Sequence, residues 1–304
     1  MRHRAGELRH NALVYASQDE YLGHALPFLR QGIEAGEGAI VAHTRPGLAM
    51  VREALGPDAE RMRFVDVSSA YTRPARTLAA YHEVMAEELR ATPTLRVVAD
   101  VQFGPDPVEW DLWTGYEAVF NRSFAHLPAW VLCSYNAKGT PDPIIEGVWQ
   151  THPEVVTGDG WHASDHFEDP DQLLRRLTPD PVPIPGLRSM PFGRDVEEFR
   201  ERLARELAAD GVAEARMLDM LLAATEVATN AIQHGGGVKA VRVGRAEGRS
   251  VCEIVDRGEG FDDPAAGFVA PRRGTGTGLW VARRLTWQID FFRSPAGFTT
   301  RLSL

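Results

Sequence analysis

On a helix spanning about 213–233, Glu226 and Asn230 stand four residues apart, and His234 follows four further on. At about 100° per residue, Met217, Met220, Leu221, Ala224, Val227, Ala228 and Ala231 share one face. Glu226 and Asn230 fall on roughly the opposite face. The helix packs its apolar side and offers a carboxylate and a carboxamide away from that core. Taken alone, the pattern also describes a solvated face with two polar residues.

Two glycine-bearing motifs follow. Asp256-Arg257-Gly258-Glu259-Gly260-Phe261 comes directly after the apolar strand Val251–Val255. An aspartate at the end of a buried strand can accept a hydrogen bond from an exocyclic amine, and the two glycines allow a tight turn with positive φ. Gly274-Thr275-Gly276-Thr277-Gly278-Leu279 then opens a helix carrying Trp280, Val281 and Leu285. Glycines let backbone N–H groups approach a phosphate, and a helix N-terminus adds partial positive charge. The spacing is that of neither a P-loop nor a Rossmann fingerprint. Each motif alone also fits a plain turn or surface loop.

These motifs need elements to hold them, and the second half supplies them. Helices at Val196–Ala209 and Ala213–Gln233 come first, then strands at Val238–Arg245 and Ser250–Asp256. A helix at Gly278–Thr286 and strands at Gln288–Arg293 and Phe298–Leu304 close the chain. Helices segregated from a mixed, mostly antiparallel sheet predict an α+β domain.

The first half alternates strands (Asn11–Ser17, Gly38–Thr44, Arg63–Ser69, Leu95–Phe103, Ala129–Asn136) with helices (Asp19–Ala35, Pro46–Leu55, Pro74–Arg90, Pro107–Phe124, Pro143–Gln150). Asp171–Leu177 adds a last short helix. That order predicts an α/β parallel sheet with helices on its faces. Between the halves, Pro179, Pro181, Pro183 and Pro185 can continue neither a helix nor a central strand, so residues 179–187 read as an extended linker. The expected domains are 1–178 and 188–304.

The 304 residues allow two packed cores at about 150 residues per domain. The net charge of −9 is unevenly spread: residues 1–187 carry −10 and residues 188–304 carry +1, which suits a site for a polyanion in the second half. The overall acidity and the lack of an identifiable helix-turn-helix argue against DNA binding. No apolar run approaches the roughly 18 residues of a membrane span, and the start has no signal-peptide pattern, so a cytoplasmic protein is expected. Cys133 and Cys252 lie far apart without metal-ligand spacing, which argues against a disulfide framework or a zinc site.

The three motifs, in one order within about fifty residues, resemble the ATP-binding Bergerat fold shared by gyrases, histidine kinases and MutL-type proteins. Glu226/Asn230 match its N-box, Asp256-x-Gly258-x-Gly260 its first glycine box and Gly274-x-Gly276-x-Gly278 its second. Glu226-Val227-Ala228-Thr229-Asn230-Ala231-Ile232-Gln233-His234-Gly235 looks like the N-box of anti-sigma-factor serine kinases. That resemblance implies Mg²⁺ on Asn230, the adenine amino group on Asp256, and a lid and phosphate loop shaped by Gly258, Gly260, Gly274, Gly276 and Gly278. It implies Glu226 as the base for a serine hydroxyl, a sigma factor and an anti-anti-sigma (STAS-type) protein as partners, and a homodimer as a common assembly. In place of the family's Gly-Thr-Thr, the closing strand reads Gly297-Phe298-Thr299-Thr300, so an adenine contact falls to Thr299. The helix 196–209 has no histidine, which disfavours a histidine kinase. The alternative reading is a non-catalytic module in which bound ATP gates partner binding.

In the first half, Leu13-Val14-Tyr15, Gly32-Ile33-Glu34-Ala35-Gly36-Glu37, Leu132-Cys133-Ser134-Tyr135 and Thr151-His152-Pro153 are similar to the MEDS sensory domain of methanogen and methylotroph regulators. This implies a RecA-like sheet without ATP hydrolysis and a sensory role for an undefined small-molecule or protein signal. His10, Cys133, Tyr135 and His152 are candidates for a pocket at the strand ends. The Trp110/Trp113/Tyr116/Phe120 series reads as a helix packing face.

Overall fold

The computed structural model describes residues 7–178, 182–268, 276–294 and 296–304. The chain divides into two compact units, 1–177 and 178–304. Pro179, Asp180 and Pro181 of the linker lie outside the described residues.

The first unit runs β1 (Arg9–Tyr15), α1 (Gln18–Glu34), β2 (Gly38–His43), α2 (Arg45–Leu55), β3 (Arg63–Asp66), α3 (Pro74–Glu88), β4 (Leu95–Asp100), α4 (Trp110–Phe124), β5 (Ala129–Asn136), α5 (Asp142–Thr151), β6 (Glu154–Thr157), β7 (Gly160–Ala163) and α6 (Pro170–Leu177). The sheet order is β3-β2-β4-β5-β1-β6-β7. All pairs are parallel except β6–β7. β2 and β4 are buried along their whole length, as strands covered on both faces must be. One face packs Leu13, Val41, Val98, Leu132 and Val156 against Tyr21, Leu29 and Val51 of α1 and α2. Ser17 caps α1, its hydroxyl accepting from the Glu20 N–H, in a turn that holds no glycine loop.

One expectation is corrected in this unit. β5 is not the last parallel strand: β6 pairs with β1 beyond it, and β7 returns as a hairpin. Both strands have four residues and β7 is largely exposed, so no alternation marked them.

The second unit runs β8 (Arg188–Met190), α7 (Val196–Ala209), α8 (Glu214–Gln233), β9 (Val238–Ala246), β10 (Arg249–Asp256), α9 (Thr277–Leu285), β11 (Gln288–Ser294) and β12 (Gly297–Ser303). Its sheet order is β11-β12-β10-β9-β8, and every pair is antiparallel rather than mixed. β8, three residues long, was not legible in the sequence. Asp195 caps α7 by accepting from the Glu198 N–H, which starts the helix where the apolar spacing Phe199, Leu203, Leu207 begins. Those three side chains, Met220, Val227 and Ala231 of α8 and Ala282 of α9 form one core with Cys252, Ile254 and Leu302 of the sheet. The α/β and α+β classes expected for the two halves are therefore both present.

Candidate functional site

In the second unit, packing brings the three motifs to one end of α8. Glu226 and Asn230 are half-buried on α8. Gly276 caps α9 in the left-handed conformation, φ 86°, and Gly278 lies in the first turn. A Cβ on Gly278 would stand 2.6 Å from Glu226 Oε2, so the bare backbone of the α9 N-terminus rests directly on that carboxylate. Gly274 lies outside the described residues.

Asp256 ends β10. Its Oδ1 accepts from the Gly258 N–H at 2.8 Å. Burial pushes its carboxyl above the usual range, against the opposing pull of that N–H. Beneath it runs Gly235, which the sequence reading did not single out. The Gly235 carbonyl accepts from the Arg257 N–H at 2.9 Å. A Cβ there would meet Asp256 Cγ at 2.5 Å and the Ala231 carbonyl oxygen at 2.9 Å. The end of α8 and the end of β10 approach this closely only because residue 235 has no side chain. The run Gly235-Gly236-Gly237 was the available signal.

Gly260 has φ 70°, and a Cβ on it would collide with the Phe298 ring. Phe298 stands opposite Asp256 in the β10–β12 register and clusters with Phe261 and Phe291. Thr299 pairs with Val255 and is buried. By strand alternation it faces away from the side shared by Asp256, Ile254 and Leu302. The structure thus gathers Glu226, Asn230, Asp256, Gly258, Gly260, Gly276 and Gly278 on the helix side of the sheet, and Phe298, not Thr299, stands beside Asp256.

Residues 9–153 match the family model MEDS, the methanogen/methylotroph, DcmR sensory domain, and residues 193–304 match the model of the histidine kinase-like ATPase domain. The chain joins a MEDS domain to a histidine kinase-like ATPase domain. No curated protein matches the chain.

The ATPase domain implies ATP binding, and the end of α8 gathers residues suited to it. After Asp256 the chain passes through Asp263, whose carboxylate caps the Ala265 N–H, before the segment meets α9. Arg283 of α9 anchors this segment. Its Nε donates to the Ala266 carbonyl at 2.5 Å, and its guanidinium lies 4.0 Å over the Phe268 ring. Burial pushes its pKa down to about 10, so it stays charged at neutral pH. A hydrogen bond from a charged group contributes roughly 1.5–3 kcal/mol. Arg283→Met is therefore expected to speed amide exchange in 265–268 by at least about tenfold while β10 stays protected. Unchanged exchange there would show that the clamp holds nothing.

In the MEDS domain, the second face of the sheet holds the remaining candidates. His10, Cys133, Tyr135 and His152 are all nearly fully buried. They do not gather at the carboxyl ends of the strands: of the four, Tyr135 alone lies near one, where it borders a small void with Glu117. His10 is the second residue of β1, Cys133 lies mid-way along β5, and both sit under α4 and α5. Glu117 of α4, which the sequence reading passed over, joins them. Tyr135 donates its hydroxyl to Glu117 Oε1 at 3.2 Å. Glu117 is the one carboxylate within the buried Trp113/Tyr116/Phe120 stripe, and that position was its signal. Burial, with the Glu117 charge, pushes the Cys133 thiol well above its usual value. Burial, and then the His10 ring, hold His152 well below its own.

No helix among the described residues is long and apolar enough to cross a membrane.

Proposed function

We propose that the ATPase domain is a Mg·ATP-dependent protein serine kinase of the anti-sigma-factor type, acting in the cytoplasm under control of the MEDS domain. On this reading it sequesters a sigma factor and phosphorylates a STAS-type anti-anti-sigma partner. The observation that supports it is the seating of Glu226 against Gly278 at the α9 N-terminus. A carboxylate at the end of a glycine-flanked helix suits proton transfer beside a phosphate, whereas nucleotide binding alone needs no base.

In the proposed reaction the serine hydroxyl attacks the γ-phosphorus of ATP. The Oγ–P bond forms, the bond to the ADP oxygen breaks, and the hydroxyl proton passes to Glu226. Asp256, fixed by the Gly258 N–H, accepts from the adenine amino group. Gly276 and Gly278 leave the backbone N–H groups of α9 open to phosphate oxygens. Asn230, one turn beyond Glu226 and half-buried, has the side-chain oxygen that a hard cation prefers. Bound there, Mg²⁺ would neutralise phosphate charge.

Asn230→Ala is expected to weaken Mg·ATP binding by roughly tenfold or more, the cost of one lost charge-assisted contact. Calorimetric titration with and without Mg²⁺ measures it, and equal affinities in parent and variant would remove Asn230 from the metal site. The activity itself is tested by incubating the protein with radiolabelled ATP and STAS-type proteins. Label on a partner serine is the expected result; ATP binding with no transfer would make the domain a nucleotide-gated binding module.

A further inference from the structure

His10, Glu117, Cys133 and His152 bring a nitrogen, an oxygen, a sulfur and a nitrogen from β1, α4, β5 and the end of α5 to within 4.8 Å of one another. His10 Nε2 is 3.2 Å from Cys133 Sγ and 3.3 Å from Glu117 Oε2. His152 Nε2 is 3.9 Å from the same oxygen. Bonds of about 2.0–2.3 Å to a tetrahedral ion place its ligand atoms roughly 3.3–3.8 Å apart. The three shortest separations given, 3.2, 3.3 and 3.9 Å, lie close to that range, and a shift of about an ångström draws the rest of the cluster into it.

Two of these atoms have no hydrogen bond. Glu117 Oε2 and His152 Nε2 are buried and make no hydrogen bond among the described residues. Leaving a carboxylate oxygen and an imidazole nitrogen so is costly, and a shared cation satisfies both. The surrounding hydrogen bonds also aim the rings inward. Asn121 donates its amide to the Thr151 carbonyl at 2.6 Å, which turns its Oδ1 toward His10 Nδ1 at 3.0 Å. That oxygen can only accept, so His10 Nδ1 carries the proton and Nε2 faces the cluster. His152 Nδ1 lies 3.0 Å from the Val148 carbonyl, which fixes its proton the same way. Metal-binding histidines are oriented by such outer contacts.

We propose that His10, Glu117, Cys133 and His152 bind one divalent transition-metal ion of the zinc class inside the MEDS domain. A thiolate, two imidazoles and a carboxylate suit zinc-like ions over magnesium or calcium. On binding, the metal–sulfur bond forms as the Cys133 S–H proton leaves to solvent, with no redox change. Two anionic and two neutral ligands then cancel the charge of a divalent ion, as an apolar interior requires. Four protein ligands close a tetrahedral shell, so the site holds or senses metal and does not catalyse. The void bordering Glu117 and Tyr135 is about 10 Å³, the scale of one water and too small for an organic ligand. This inference is independent of the kinase reading.

The test uses the purified 304-residue chain. Elemental analysis after gel filtration is expected to find about one zinc per chain when zinc is supplied. Replacement by Co²⁺ should give the strong visible bands of a tetrahedral ion and a thiolate charge-transfer band. Cys133→Ser should abolish the charge-transfer band and Cys252→Ser should keep it. Asn121→Ala should weaken affinity by roughly 10–100-fold. Should Cys133→Ser fail to fold, the parent carries the test alone: a chelator lowers its Tm and zinc restores it. A weak octahedral cobalt spectrum, no retained zinc with an unmoved Tm, or a charge-transfer band unchanged in Cys133→Ser would each overturn the site.

Discussion

Glu226→Gln is expected to lower phosphoryl transfer to a partner serine by roughly 10²–10⁴-fold, the range a positioned general base supplies. ATP affinity should stay near that of the parent. Glutamine keeps the shape of the side chain that rests on Gly278, so the packing of α9 on α8 is preserved. What it loses is the capacity to take a proton. Direct titration of nucleotide and a labelled-phosphate assay on the same preparation separate the two effects. Parent-level transfer by the variant would remove Glu226 as the base without touching the ATP site. Loss of ATP binding instead would mean that Glu226 supports the phosphate loop.

Gly235→Ala should push Asp256 out of place and destabilise the ATPase domain. Its Cβ would fall 2.5 Å from Asp256 Cγ and 2.9 Å from the Ala231 carbonyl oxygen. The carbonyl is backbone of α8 and cannot swing aside, so Asp256 or the end of β10 must move. Overpacking of this kind costs about 1–3 kcal/mol of stability. Displacing the carboxylate would also forfeit the adenine contact proposed for it, roughly 1.5–3 kcal/mol, or about 10–100-fold in ATP affinity. Thermal unfolding and nucleotide titration measure the two losses. An alanine variant that binds ATP like the parent would show that Asp256 does not read the adenine.

Much of the ATPase domain was legible because its signals are local. The α8 periodicity separates its core face from Glu226 and Asn230 within three turns, and glycines mark the tight approaches near them. Arg283 was not legible as a clamp: an arginine in the last turn of a helix ordinarily serves the helix dipole, and only the folded chain lays Ala266 and Phe268 against it. Thr299 shows a subtler limit. The composition of the closing strand was plain, but a shift of one residue reverses the face, and the register is set by pairing with β10. The β6–β7 hairpin was missed because its strands are short and half-exposed.

The sequence by itself determined the two domain classes and the order of the ATPase motifs, since periodicity and glycine spacing are properties of neighbouring residues. Only the tertiary structure decided that His10, Glu117, Cys133 and His152 form one cluster. They lie up to 142 residues apart and share no motif spacing, which is why the cysteine count argued against a zinc site. The parallel pairing of β1 with β5, and of β1 with β6, under α4 and α5 brings them together. That convergence is a consequence of long-range strand pairing, which no local pattern records.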